Sequence, residues 1–474
     1  PVKLKIDYDP NDHKTDFGGI SRLRDYPPPD SPISYGVEAS FGGLNLGLYH
    51  ENLNQLSFRW TWSKNFAAPR QLPDYQVTEN EFDKETFYLD LLRELYNNEI
   101  YVQSANFLTD DHLYLSYNQN LFNSEKEGRI YVDRIVREAF PFVEELTLIP
   151  VLNEFTYLST SNYPDTRYVY ENDQGPRNRE ISEHFTPSVN YPVFSYSFVP
   201  GFKSHIGSAP KFFFSEINLT VPGAVVLNKN LELGFAYTYP LRDDYETLSY
   251  NPVPTDLPPV RIYVSEYLRQ GKKGFESLYL QYFKYLGKDI YSSLQVGHLE
   301  QMFAGAIGEV LYAPYNSRFA MGFEIGDVWQ RDFTKSLDTF QDYKTTTHHL
   351  SLYYNVPYLN FDFKLSYGRY LARDDGYTFE FSKSYANGTR YGAFFSLTNI
   401  SSDQFGEGSF DKGVFFFFPV DLIGFTFGQK RNRQKGYNGI VWRPMTRDGA
   451  SKLARPSELY PLIKQSKFHE FYRD

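Results

Sequence analysis

The sequence predicts a mainly β protein: antiparallel transmembrane β-barrel strands in two sets, with a small soluble α/β module between them. Three observations predict it. Residues 346–399 alternate strictly between apolar and polar positions, runs of the same kind fill most of the rest, and the period shifts to 3.6 only between about 74 and 180. A membrane strand turns apolar residues to lipid and polar ones to a lumen, with large aromatics at its ends. A soluble sandwich also buries one such face; the extent of alternation and the terminal aromatics favour the barrel.

The alternation is plainest in 361–399. Phe361, Phe363, Leu365 and Tyr367 share one face, and Asp362, Lys364, Ser366 and Gly368 the other. Tyr377, Phe379 and Phe381 oppose Thr378, Glu380 and Ser382, and Tyr391, Ala393, Phe395 and Leu397 follow. Asp374-Asp375-Gly376 and Ala386-Asn387-Gly388 are turn sequences, because Asn, Asp and Gly accept the backbone of tight hairpins. Composition agrees. Aromatics are 18% of 474 residues, with 41 Tyr and 42 Phe, yet mean hydropathy is -0.50. Half of each membrane strand is polar, so a hydropathy average hides the membrane face. No stretch approaches the roughly 20 apolar residues of a membrane helix. The nearest, 413–428, contains Pro419 and Asp421 and reads as two strands. Zero cysteines exclude disulfides, thiolate metal sites and cysteine nucleophiles. The net charge of -10 argues against a nucleic-acid partner.

Residues 1–64 read as four strands, and the chain, opening without Met or a signal peptide, reads as processed or truncated. Four strands cannot close a barrel in lipid, so they pair with strands formed elsewhere. Residues 74–180 read as the α/β module. Its first helix, 83–97, has Phe87, Leu91 and Leu95 on one stripe, and Lys84, Glu85, Asp90, Arg93 and Glu94 keep it out of lipid. A capping box at Ser124 and Glu127 opens a second helix carrying Ile130, Val132, Ile135, Val136 and Phe140. Short strands are expected at 101–108, 113–117 and 145–158. Residues 183–445 read as the C-terminal barrel, with strands expected at 185–193, 194–207, 211–221, 230–239, 260–268, 275–286, 290–298, 317–327, 346–356, 360–371, 375–385, 390–399, 412–418 and 422–429. Long loops are expected at 242–259 and 330–343, and a polar tail at 446–474.

Asp362, Lys364, Tyr370, Glu380, Glu324 and Arg318, with Glu276, are the polar-face candidates for lining a polysaccharide path. The plainer reading is paired lumen charges, and Tyr370 serves equally as a girdle or packing residue. Gly406, Glu407, Gly408, Asp411, Lys412 and Gly413 form a glycine-rich motif. Glycine permits positive φ, so a tight structural turn is the first reading, ahead of a sugar or partner contact. His348 and His349 alternate faces and do not make a metal pair. No cofactor or metal is expected, and no nucleophile and base stand in a catalytic context.

Several blocks resemble the YjbH/GfcD family. They are Glu300-Gln301-Met302-Phe303-Ala304-Gly305, Gly308-Glu309-Val310-Leu311-Tyr312, Pro314-Tyr315-Asn316-Ser317-Arg318, and 365–372. Leu397-Thr398-Asn399-Ile400, the run 405–413, and 443–450 complete the likeness, which is densest over 300–450. The resemblance implies an outer-membrane protein of exopolysaccharide or group 4 capsule systems, acting in secretion or surface assembly of the polymer. It also implies that 1–64 ends a first barrel. The expected partners are the polymer, outer-membrane lipid, and periplasmic or outer-membrane export proteins, with the module in the periplasm. The expected function is non-enzymatic. The alternatives are a barrel enzyme acting on lipid or polymer, and a structural barrel that docks periplasmic partners.

Overall fold

Two sequence periods build two kinds of structure. The computed structural model describes residues 2–8, 31–41, 43–51, 55–63, 75–79, 86–107, 111–119, 125–150, 185, 191–206, 213–228, 230–248, 256–314, 317–356, 359, 361–385, 389–405, 410–419, 431–432, 436–437, 439–443 and 448–465. The chain divides into two compact units, Pro1–Ala68 and Pro69–Asp474.

The first unit is one antiparallel sheet in the order β1 (Val2–Tyr8), β2 (Ile33–Phe41), β3 (Leu44–Glu51) and β4 (Gln55–Trp62). Its register places Leu4 opposite Val37, Val37 opposite Leu48, and Leu48 opposite Phe58. These four apolar side chains share a face, and all are exposed. The opposite face is polar: Lys5 Nζ donates to Glu38 at 2.6 Å, and Tyr49 Oη to the same carboxylate at 2.8 Å. The Tyr49 ring lies across Gly36 and Gly47, whose missing side chains leave room for it.

The second unit begins with the α/β module. Helix α1 (Phe87–Asn97) and helix α2 (Glu125–Ala139) accompany a three-stranded sheet of β5 (Ile100–Phe107), β6 (His112–Gln119) and β7 (Glu145–Pro150). Strands β5 and β6 are antiparallel, while β6 and β7, joined through α2, are parallel. Phe87, Leu91, Leu95, Val132, Ile135, Val136 and Phe140 are buried in one core with Leu113, Leu115 and Tyr117. Two expectations fail here. Ile130 is exposed and Tyr131 is buried instead, because the buried stripe of α2 runs through 128, 131, 132, 135, 136 and 139. Glu94 is buried too, its carboxylate accepting the Thr78 N–H at 3.3 Å. The helix start at 83–85 and the Ser124 cap lie outside the described residues.

The remainder is a 14-stranded antiparallel sheet. Its strands are β8 (Val193–Tyr196), β9 (Val199–Ile206), β10 (Phe213–Asn228), β11 (Leu231–Asp243), β12 (Gly274–Gly287), β13 (Ile290–His298), β14 (Phe303–Tyr312), β15 (Phe319–Arg331), β16 (Phe340–Val356), β17 (Phe361–Arg369), β18 (Asp375–Ser384), β19 (Arg390–Thr398), β20 (Asp411–Pro419) and β23 (Gly439–Trp442). Two short strands, β21 (Arg431–Asn432) and β22 (Gly436–Tyr437), pair with each other. The ladder follows chain order from β10 to β20. Strands β8 and β9 both pair with β10 at one edge, and β23 pairs with β20 at the other. Among the described residues these two edges are not paired with one another, so the expected barrel closure is not part of the ladder.

Five expectations change in this region, the first being the strand at 185–193: Phe185 instead bridges Ala105 of β5, 191–192 are not strand, and 186–190 lie outside the described residues. Residues 260–268 are not a strand: helix α3 (Val264–Gln270) forms there and buries Ser265, Tyr267 and Leu268. Residues 303–312 are a full strand where none was expected. The expected loop at 330–343 shortens, because β15 runs to Arg331 and β16 starts at Phe340. The span 194–207 is two strands, broken at 197–198. The candidate strand at 422–429 and the turn at Asn387-Gly388 lie outside the described residues.

The sheet buries its polar face. Glu309, Glu324, Thr347, His349, Ser351, Asp362, Ser366, Ser382 and Ser396 are all buried, while Phe323, Ile325, Leu350, Leu352, Leu365, Tyr367, Tyr377 and Leu397 are all exposed. That is the reverse of a water-soluble sheet. The connections also sort by end. Lys288-Asp289 closes β12 to β13 with both residues at positive φ, as a tight hairpin requires. Between β10 and β20 the end bearing that turn has short connections, and the opposite end carries α3, the turn 299–302 and the loop 332–339; the longer connection from β20 to β23, 420–438, is also at the short-turn end.

Candidate functional site

The polar face is covered by the chain's own C-terminal segment, 448–465, which ends in helix α4 (Leu459–Gln465). The segment starts at the long-loop end. There the Asp448 carboxylate accepts the N–H groups of Val260, Arg261 and Ile262 at 2.7–3.0 Å. Burial pushes that carboxyl above its ordinary value, and the three amides offset the rise only in part. Ala450 N–H donates to Asp374 in the β17–β18 turn at 2.7 Å. Leu453 then joins a buried cluster with Val260, Tyr267, Tyr279, Met302, Phe303 and Leu371.

The middle of the segment is ionic. The Arg455 guanidinium bridges Glu309 at 2.8 Å and Glu324 at 2.7 Å, with all three side chains almost completely buried. Lys452 Nζ lies 2.8 Å from the same Glu324, and His349 Nδ1 is 3.2 Å from it. Glu458 pairs with Lys364 at 3.0 Å. Ser457 Oγ accepts from Gln281 and Gln295, each at 2.7 Å. The segment finishes at the short-turn end, where Leu459, Tyr460 and Leu462 pack with Phe283, Tyr291, Leu311 and Tyr353. Tyr460 stacks on Tyr353 with centroids 3.9 Å apart and planes 16° apart.

This geometry fixes the curvature of the sheet. Adjacent residues Ser457 and Glu458 reach β12 and β17, five strand spacings apart in the ladder. A flat sheet would hold those strands about 24 Å apart, at ~4.8 Å per strand. Adjacent Cα atoms are only about 3.8 Å apart, and side chains that stand off a flat sheet would have to lie along it, fully extended, to span the rest. The sheet curls around the segment, which is why its polar face is buried.

The residues singled out from the sequence fall into four groups. Glu324 and Lys364 hold the segment directly. Asp362, Tyr370 and Glu380 lie on the same polar face: Asp362 accepts from Asn355 at 2.7 Å, and Tyr370 hydrogen-bonds Thr378 at 2.6 Å with its ring edge-on to His349. Glu380 pairs with Arg443 at 2.9 Å and Arg390 at 3.3 Å. Glu276 sits between Lys203 at 2.7 Å and Lys335 at 2.8 Å. Arg318 stands apart. It precedes β15 in the turn at the short-turn end, its side chain is exposed, and the structure does not bring it to the polar face. His348 and His349 point to opposite faces, as their adjacency in β16 requires.

The glycine-rich motif also resolves differently from a single turn. Gly406, Glu407 and Gly408 lie outside the described residues. Asp411, Lys412 and Gly413 open strand β20 rather than a turn. Asp411 is buried on the polar face, where Ser396 Oγ donates to it at 3.3 Å, and Lys412 is exposed with its Nζ 4.4 Å from the Phe410 ring. Sequence reasoning missed Glu309, Lys452, Arg455 and Glu458. The signal that could have found them is charge in a polar tail facing carboxylates at alternate positions of two strands.

The chain spans 98% of its own length in an alignment of 500 residues with the uncharacterized lipoprotein YjbH of Escherichia coli (strain K12), at 29% identity and 68% of that protein. The family model described as exopolysaccharide biosynthesis protein YbjH matches residues 1–465. The chain belongs to the YjbH exopolysaccharide biosynthesis family.

Proposed function

We propose that the chain is a non-enzymatic outer-membrane component of exopolysaccharide secretion or surface assembly, with the 14-stranded sheet as a membrane-embedded barrel wall. One observation carries the reading: the sheet exposes its apolar face and buries its polar one. In water, exposed side chains such as Phe323, Ile325, Leu352 and Leu365 would form a contiguous apolar surface far larger than a soluble monomer carries. In lipid the same surface is the favourable one, and every strand of β10–β20 satisfies its backbone through its neighbours.

Three further points support it. From β10 to β20, short turns at one end and longer connections at the other match the periplasmic and extracellular ends of such barrels. The chain enters β8 from the short-turn end, since Val193 pairs with Val226 near the β10–β11 turn, so the preceding α/β module belongs to the periplasmic side. Membership in an exopolysaccharide biosynthesis family, and a relative named as a lipoprotein, fit an envelope location. In this reading the polymer, outer-membrane lipid and export proteins are the partners, and the polar face is the side that meets the polymer.

The test is a strain lacking the chain, complemented with it or with Leu365→Arg. Loss of secreted polymer, restored by the parent chain found in the outer-membrane fraction, supports the reading. Unchanged polymer in the deletion strain, or a chain recovered only in soluble fractions, refutes it.

A further inference from the structure

We propose that residues 448–462 are a displaceable plug, and that moving it opens a cation-preferring path along the polar face of the sheet. The proposal deepens the membrane-wall reading and rests on it.

Three observations carry it. First, the segment runs the whole height of the sheet, from Asp448 beside Val260 at the long-loop end to Leu462 beside Leu311 at the short-turn end. It therefore lies in any passage along that face. Second, the ladder does not need it. The strands pair with each other from β8 to β23, and among the described residues one main-chain bond ties the segment's backbone to the sheet's connections, from Leu371 N–H to the Ser451 carbonyl at 2.9 Å. Its attachment is otherwise through side chains, so it can leave without unpairing a strand. Third, the charges divide unevenly. At mid-height the segment brings Lys452, Arg455 and Glu458, with Asp448 away at its long-loop end, while the wall keeps Glu309, Glu324 and Lys364, whose partners leave with the segment, and Glu380, which keeps its own Arg390 and Arg443. Displacement uncovers two carboxylates against one ammonium at the mid-height of the path, a lining that favours cations. The ionic middle between two apolar ends acts as a latch, since ion pairs open and re-form without a change of fold.

The experiment uses the purified full chain in planar bilayers. The parent is expected to be nearly silent. Arg455→Gln is expected to raise the frequency of conducting events on the order of a hundredfold, because one buried carboxylate loses its main partner. The reversal potential should show preference for cations. If Arg455→Gln fails to insert, Lys452→Gln leaves the Arg455 bridge in place and gives a smaller rise. The chain has no cysteine, so Gln281→Cys with Ser457→Cys can be joined by a short bis-methanethiosulfonate. Joining them in the Arg455→Gln background should silence conduction, and reductant should restore it. Variants that insert but stay silent, or conduction that ignores the lock, overturn the plug and leave the membrane reading standing. A parent chain that does not enter lipid vesicles at all overturns both.

Discussion

Arg455→Gln also gives the sharpest stability prediction. Arg455 meets Glu309 and Glu324 at 2.8 and 2.7 Å, with the arginine 1% exposed and the glutamates 2% and 8%. Losing the guanidinium leaves the two carboxylates in different positions. Glu324 keeps Lys452 and His349, whereas Glu309 keeps the Leu459 N–H at 3.0 Å. One buried charge is left largely uncompensated, and breaking such a pair costs about 3–5 kcal/mol. Arg455→Lys should lose less but not nothing, because an ammonium cannot bridge two carboxylates as a planar fork does. Arg455→Leu with Glu309→Leu removes both sides of one pair and should cost much less than the sum of the single changes. The assay is urea unfolding in lipid vesicles, followed by tryptophan fluorescence and read as a double-mutant cycle. A loss below about 1 kcal/mol for Arg455→Gln, the worth of an exposed pair, would mean that the segment is not seated as described.

Other outcomes follow from the same geometry. Leu365→Arg, on the apolar face, should cost about 2–4 kcal/mol in vesicles and Leu365→Phe little, measured by the same unfolding. Gly368→Ala should destabilise the β16–β17 pair by about 1–3 kcal/mol, because a Cβ there runs into the His348 carbonyl oxygen. Leu91→Ala, fully buried in the module, should cost the module about 2–5 kcal/mol while the sheet still assembles, which limited proteolysis would separate. Exposed Arg93 or Arg134, changed to cysteine, should react with an impermeant thiol reagent only after the outer membrane is permeabilised.

How much of this was legible in the sequence depended on range. Strands β17, β18 and β19 were readable because their neighbours along the chain are also their partners in the ladder: Leu365 faces Phe379 and Lys364 faces Glu380 in the register that alternation implies. Strand β14 was not, because Ala304, Gly305, Ala306 and Gly308 blank the apolar signal on both faces. Residues 260–268 misled because Val260, Ile262 and Val264 alternate, yet the helix there buries Tyr267 and Leu268 against non-local partners. The site was half legible. Glu324, Lys364 and Glu380 could be placed on the polar face by counting, since period two leaves no choice. Their partners could not: Arg455 lies 131 residues from Glu324, and Ser457 lies 176 from Gln281. No local pattern in a polar tail announces what it will cover. Arg318 failed for the opposite reason, since it stands one residue before β15 begins and the alternation does not extend to it.

In the membrane-wall reading the apolar face of the 14-stranded sheet meets lipid. A carbene-generating reagent confined to the bilayer, photolysed in membranes carrying the full chain and mapped by mass spectrometry, tests it most directly. Label is expected on Phe323, Ile325, Leu352, Leu365 and Tyr377, and none on Glu324, Ser351, Ser366 or the module surface at Arg93 and Arg134. Label spread equally over both faces, or absent from Leu365 and its neighbours while the module is labelled, would contradict it.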